Sequence, residues 1–124
     1  MSKTAVVVFS DPNGGGEEAL GRLFNALFLT FELKQAEQDV VLVFQGTGTR
    51  WPGLLSGPDH PAGALFRAVQ DKAIICGGCA DVFGAVDTAS SSGLALVRER
   101  DIPGTSGVVD LSRYLRDGYT LATF

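Results

Sequence analysis

The chain has 124 residues, 45% of them apolar and 19% charged, which suits one folded domain and excludes disorder as its main state. Ten basic residues against fourteen acidic ones give a net charge of −4, a poor balance for gripping nucleic acid or an anionic membrane by bulk charge. No apolar run is long enough for a membrane span, and sixteen glycines without a three-residue period exclude a collagen-like fibre. The first predicted element is a strand from Thr4 to Ser10, whose unbroken Val6-Val7-Val8 run suits a strand buried on both faces. That run is too short for the core of a secretion signal, so the cytoplasm is the expected location.

A glycine-rich turn, Asp11 to Gly16, leads into a helix opened by Glu17 and Glu18 and running to about Glu37. Its apolar residues Leu20, Leu23, Phe24, Leu27, Phe28 and Phe31 keep helical spacing, and Leu29 and Leu33 widen the stripe. A face that wide predicts packing against a second subunit as well as the sheet. A second apolar strand is expected over Asp39–Gln45, followed by a long loop, Gly46–Pro61, that holds the only Trp. A short helix over Ala62–Gln70 and a third strand over Lys72–Cys76 come next. Cys79 to about Thr88 reads as a helix and Leu94–Val97 as a short fourth strand. Asp110 reads as the cap of a helix over Leu111–Arg116, and Tyr119–Phe124 as the last strand. Alternating strands and helices predict one α/β domain over residues 1–124, with a mainly parallel sheet of about five strands.

The sharpest chemical signal is Cys76-Gly77-Gly78-Cys79 at the carboxyl end of the third strand, the edge where open α/β sheets bind ligands. Backbone N–H groups at the start of the following helix would face the Cys76 sulfur and favour its thiolate. Gly77 and Gly78 would leave room for a substrate to reach a sulfur expected to stand open to solvent. Cys79 is spaced to resolve an oxidised Cys76. The plain alternative is a pair of small buried side chains beside a tight turn. A zinc site wants four ligands, and with one His and no second cysteine pair none is expected, nor any other cofactor. A thioredoxin-like dithiol would follow an early strand rather than the third.

Three other segments leave the sheet at the same edge. The loop at Gly14 lacks both the Walker lysine and the dinucleotide-binding glycine spacing, and is read as a tight connection and a wall of the pocket. Arg50 could place positive charge beside the thiolate, and Trp51 could cover the pocket, although both also suit a simple loop anchor. His60, between Asp59 and Pro61, reads as a turn residue. Ser90-Ser91-Ser92 lacks the context of a nucleophile.

Cys76-Gly-Gly-Cys-Ala-Asp-Val-Phe-Gly84 resembles the Cys-Gly-Thr-Cys-x-x-Ala-Arg-Gly stretch of small DsrE/DsrF-like proteins, with the same eight-residue offset from Cys76 to Gly84. The opening strand and loop, the long first helix and the closing Tyr119–Phe124 segment are also similar, so the resemblance covers nearly the whole chain. It implies a flavodoxin-like three-layer sandwich with helices on both faces, assembled as trimers or hexamers of itself. It also implies a sulfur-relay role in which Cys76 takes sulfane sulfur from a donor protein and passes it to an acceptor. The family's usual arginine is Phe83 here, and the stretch from Ala85 to Gly107 is longer than usual. Cys76 and Cys79 are thus the expected reactive residues, with Gly14, Arg50, Trp51, Gly77 and Gly78 lining the site. An oligomeric ligand-binding module without catalysis and a Cys76/Cys79 redox switch are the competing readings.

Overall fold

A computed structural model describes residues 2–124. Five strands form a wholly parallel sheet: β1 (Lys3–Val8), β2 (Asp39–Phe44), β3 (Ala73–Cys76), β4 (Leu96–Val97) and β5 (Thr120–Thr123). Their order across the sheet is β4-β3-β2-β1-β5, so β1 lies inside and β4 and β5 at the edges. The β1–β2 register runs from Lys3 beside Asp39 to Val8 beside Phe44. Alternation along the strands builds two cores. Val6, Val8, Leu42, Phe44 and Ile75 point to one face, while Ala5, Val7, Val43 and Cys76 point to the other.

The first face carries most of the helices: α1 (Gly16–Gln35), α2 (Trp51–Leu55), α3 (Gly63–Val69) and α5 (Val86–Ser91). Leu23 and Leu27 of α1 and Phe66 of α3 have no exposed surface beyond a trace, and the Phe66 ring meets Phe44 edge-on with centroids 6.2 Å apart. The second face is covered by α6 (Leu111–Arg116) and by the segment that precedes it. In that segment Arg100 and Val108 exchange backbone hydrogen bonds of 2.9 and 3.0 Å, folding residues 100–108 into a hairpin. The expected three-layer α/β arrangement is thus present, with one layer much thicker than the other.

Two expected elements differ. The segment Gly46–Pro61 is not one long loop: a 3-10 turn spans Gly46–Arg50 and α2 follows at once. Pro52 sits in the first turn of α2, where its missing N–H costs nothing, and burial of Trp51 and Leu55 holds the helix to the core. The helix expected from Cys79 to Thr88 is also two helices, α4 (Gly77–Val82) and α5. Gly84 breaks it at φ +67°, and the Ala85 N–H reaches back to the Ala80 carbonyl at 2.8 Å, a glycine-terminated helix end. Asp110 does cap α6: its carboxylate accepts from the Arg113 N–H at 3.1 Å.

Because Phe66 of α3 is buried against Phe44 of β2, Phe66→Ala leaves a cavity in the core. The expected cost is about 3–5 kcal/mol, read as a lower urea midpoint with an unchanged slope.

Candidate functional site at the end of the third strand

Cys76 is the last residue of β3 and Gly77 the first of α4, so the thiol stands at the turn from strand into helix. Both cysteines are free, Cys76 fully buried and Cys79 partly exposed. The Cys79 thiol donates to the Cys76 sulfur, and this contact lowers the Cys76 pKa most strongly. Burial pushes the other way, while N–H groups of Val109, Cys79 and Gly78 also favour the anion, and the balance falls at about 6. The same contact raises the Cys79 pKa, because its proton is held on the neighbouring sulfur; burial adds to this, and the Gly46 N–H opposes it. The contact thus favours the anion on Cys76 and keeps the proton on Cys79.

The expectation of a sulfur open to solvent is not met. Cys76 has 0% exposed surface and packs with Ala5, Val7, Val43, Val109 and Tyr114. The room foreseen above Gly77 and Gly78 is occupied. A Cβ on Gly77 would lie 2.5 Å from Arg98 Cγ, and one on Gly78 would lie 2.7 Å from the Gly107 carbonyl oxygen. The Gly78 N–H in fact donates to that oxygen at 2.8 Å. These two glycines are required by the close approach of the 98–109 segment, not by a substrate.

The other expected lining residues gather elsewhere. Arg50 donates from its Nη1 to both Asp11 carboxylate oxygens at 3.0 Å, and its guanidinium lies over the Phe83 ring at 5.8 Å. It ties the glycine-rich turn to the end of α4 rather than facing the thiolate. Asp11 is held below the usual carboxylate range, first by the Asn13 N–H and then by Arg50. Trp51 is 3% exposed and donates from its indole N–H to the Ser10 carbonyl at 2.9 Å, so it anchors α2 to the segment just after β1 instead of covering a pocket. Gly14 lines a separate cleft of about 510 Å³ with Phe9, Ser10, Gly15, Arg22 and Phe124. His60 is a turn residue as expected, its Nδ1 accepting from the Ala62 N–H at 3.0 Å.

Residues the sequence did not single out complete the site. Val109 supplies an N–H to the Cys76 sulfur. Asp81 of α4 meets Arg98 at 3.1 Å and also accepts from the Ser106 hydroxyl, while Arg98 Nε donates to Ser106 Oγ at 3.1 Å. Seventeen residues separate Asp81 from Arg98, and no local spacing rule connects them. Among the described residues, no three His, Cys, Asp or Glu side chains gather into a set that could hold a metal ion. Nor is any described helix long and apolar enough to cross a membrane.

The parallel α/β architecture is shared with known proteins. The chain belongs to the DsrE/DsrF-like family, whose model matches residues 2–124. An uncharacterised protein of Methanocaldococcus jannaschii, MJ0733, is 27% identical over 99 residues, covering 80% of this chain and 77% of that one. The crystal structure of the ychN protein from E. coli aligns over 100% of both chains with a TM-score of 0.66 and 20% identity. A conserved protein of unknown function from Bacteroides thetaiotaomicron, BT1422, aligns over 98% of this chain and 95% of that one, with a TM-score of 0.64 and 12% identity. Both structures share the fold.

The folded Cys76 pKa of about 6 lies below that of an unfolded thiol, about 8.5. The stabilisation from its anion is therefore complete above the unfolded value and lost as pH falls through the folded one. Urea unfolding of the parent and Cys76→Ser should diverge as pH rises between about 6 and 8.5, with the parent gaining. In Cys79→Ala, which removes the main lowering contact, thiolate absorbance should titrate at a higher pH than in the parent.

Proposed function

We propose that this chain is a sulfur-relay protein that carries sulfane sulfur as a persulfide on Cys76. The observation that carries the reading is the place of Cys76 at the turn from β3 into α4, beside the Cys79 thiol and backbone N–H groups that lower its pKa. Membership of the DsrE/DsrF-like family supports a sulfur-relay type of role. In the loading step the Cys76 thiolate attacks the outer sulfur of a donor persulfide, R–S–SH. A new S–S bond forms on Cys76, the donor's S–S bond breaks, and the donor leaves as R–S⁻. Delivery is the same exchange with an acceptor thiolate, so no net oxidation is needed. The N–H groups around Cys76 stabilise the charged sulfur before attack and again after it is returned.

The hydrogen bond between the two thiols favours a second reading, a dithiol switch. There a disulfide R–S–S–R oxidises the pair to a Cys76–Cys79 bond and is itself reduced to two thiols. The lowered pKa speaks against a module that merely binds a ligand, which has no use for an ionised thiol. We place the exchange in a reducing cytoplasm, where such a pair stays reduced. Self-assembly as a trimer or hexamer is the proposed working form, supported by the half-exposed Phe28 beside Phe24 on the outer side of α1.

Incubation with glutathione persulfide followed by intact mass spectrometry should show one added sulfur on the parent and at least roughly tenfold less on Cys76→Ser, since the thiolate is the nucleophile. Equal loading of the two would overturn the assignment. A loss of two hydrogens with no sulfur gained would favour the dithiol switch.

A further inference from the structure

A buried nucleophile raises a question of access, and one segment stands over it. After β4 the chain crosses the Cys76–Gly77–Gly78 turn twice. On the outward pass the Arg98 stem lies across Gly77. On the return the Gly107 carbonyl takes the Gly78 N–H, Val108 packs against Gly78, and the Val109 N–H faces the sulfur. Between the passes residues 98–106 are exposed throughout, with Ile102 and Gly104 in the outer part. Only Gly107 and Val109, directly over the site, are buried.

The outer part holds to the body of the protein by little. Arg98, Asp81 and Ser106 form a closed triangle in which each side chain touches the other two. The Arg98–Asp81 ion pair is about one-third exposed on both sides, and an exposed pair of this kind contributes little to stability. Glu99 adds a second tie through the Asp110 N–H at 3.0 Å and Arg113 at 3.3 Å. Segments with few buried apolar side chains and solvent-exposed ties are the ones that open without global unfolding.

We infer that residues 98–109 form a strap closed over Cys76, latched to α4 by the Arg98–Asp81–Ser106 triangle, which opens to admit and release the sulfur's exchange partner. The inference rests on the reading of Cys76 as a sulfur carrier and supplies the access which that reading requires. A persulfide sulfur on Cys76 needs volume beside a fully buried side chain against which Val109 packs in the closed state, so loading and strap position are coupled. Latching from α4 rather than from the sheet lets the strap lift without parting any β-strand pair.

Native-state alkylation with iodoacetamide tests this, with Cys76 and Cys79 resolved by peptide mass spectrometry at a pH where Cys76 is fully ionised. The parent Cys76 should react far more slowly than in the urea-unfolded chain. Arg98→Ala should speed it roughly threefold to fivefold and Ser106→Ala by a smaller factor, since each loosens an exposed tie. Hydrogen exchange at residues 100–108 should rise in both variants while β1 and β2 stay protected, which shows that the fold is kept. Unchanged alkylation and exchange in both variants would overturn the strap, as would a parent Cys76 reacting like the unfolded chain. Glutathione persulfide loading, measured alongside, separates the two ideas. Faster alkylation with no sulfur gained by any form would retire the carrier and keep the strap. Equal sulfur loading in parent and variants, with equal alkylation, would retire the strap and keep the carrier.

Discussion

Two stretches of backbone meet above one sulfur atom, and the second face of the protein is arranged around that meeting. Gly77 and Gly78 carry no side chain, so the segment from Arg98 to Val109 can lie directly on the turn between β3 and α4. The contact delivers the Val109 N–H to Cys76 and the Gly107 carbonyl to the Gly78 N–H. It also closes a core that otherwise has only α6 to cover it. A side chain at Gly78 would push the Gly107 backbone off the turn, and one at Gly77 would displace the Arg98 side chain.

A buried thiolate is a costly thing unless every side of it is answered by a donor. Here the answer comes from one thiol and three N–H groups; those of Gly78 and Cys79 belong to α4, and only that of Val109 comes from the segment that crosses the turn. The second thiol serves as both donor and proton store: it stabilises the anion while its own ionisation is suppressed. Burial and activation are therefore consistent. Exclusion of water strengthens each of these hydrogen bonds, and the same exclusion makes passage to the sulfur a matter of conformational opening.

Much of the scaffold was legible because its signals are local. Unbroken apolar runs marked β1, β2 and β3 as interior strands, and helical spacing of apolar residues marked α1. Asp110 was legible as a cap because a capping carboxylate acts within three residues. The segment after β2 was misjudged: its glycines and prolines look like loop chemistry, but burial of Trp51 and Leu55 holds it as a 3-10 turn and a helix. The break at Gly84 follows from a positive φ that an isolated glycine in a helical pattern does not announce.

The sequence alone determined the α/β class, the cysteine pair and its place at the end of the third strand, since all three follow from residue type and short-range spacing. Only the tertiary structure decided what surrounds that pair. Arg50 and Trp51 share the sheet edge with it in sequence, yet an ion pair to Asp11 and a hydrogen bond to Ser10 turn them elsewhere. Arg98, Ser106 and Val109 lie well further along the chain, yet Val109 comes to rest against Cys76, Arg98 on Gly77 and Ser106 against Asp81. The reason is physical: which strand-end loops fold back is set by long-range packing on the thinly covered face of the sheet, and no periodicity in the chain encodes that choice.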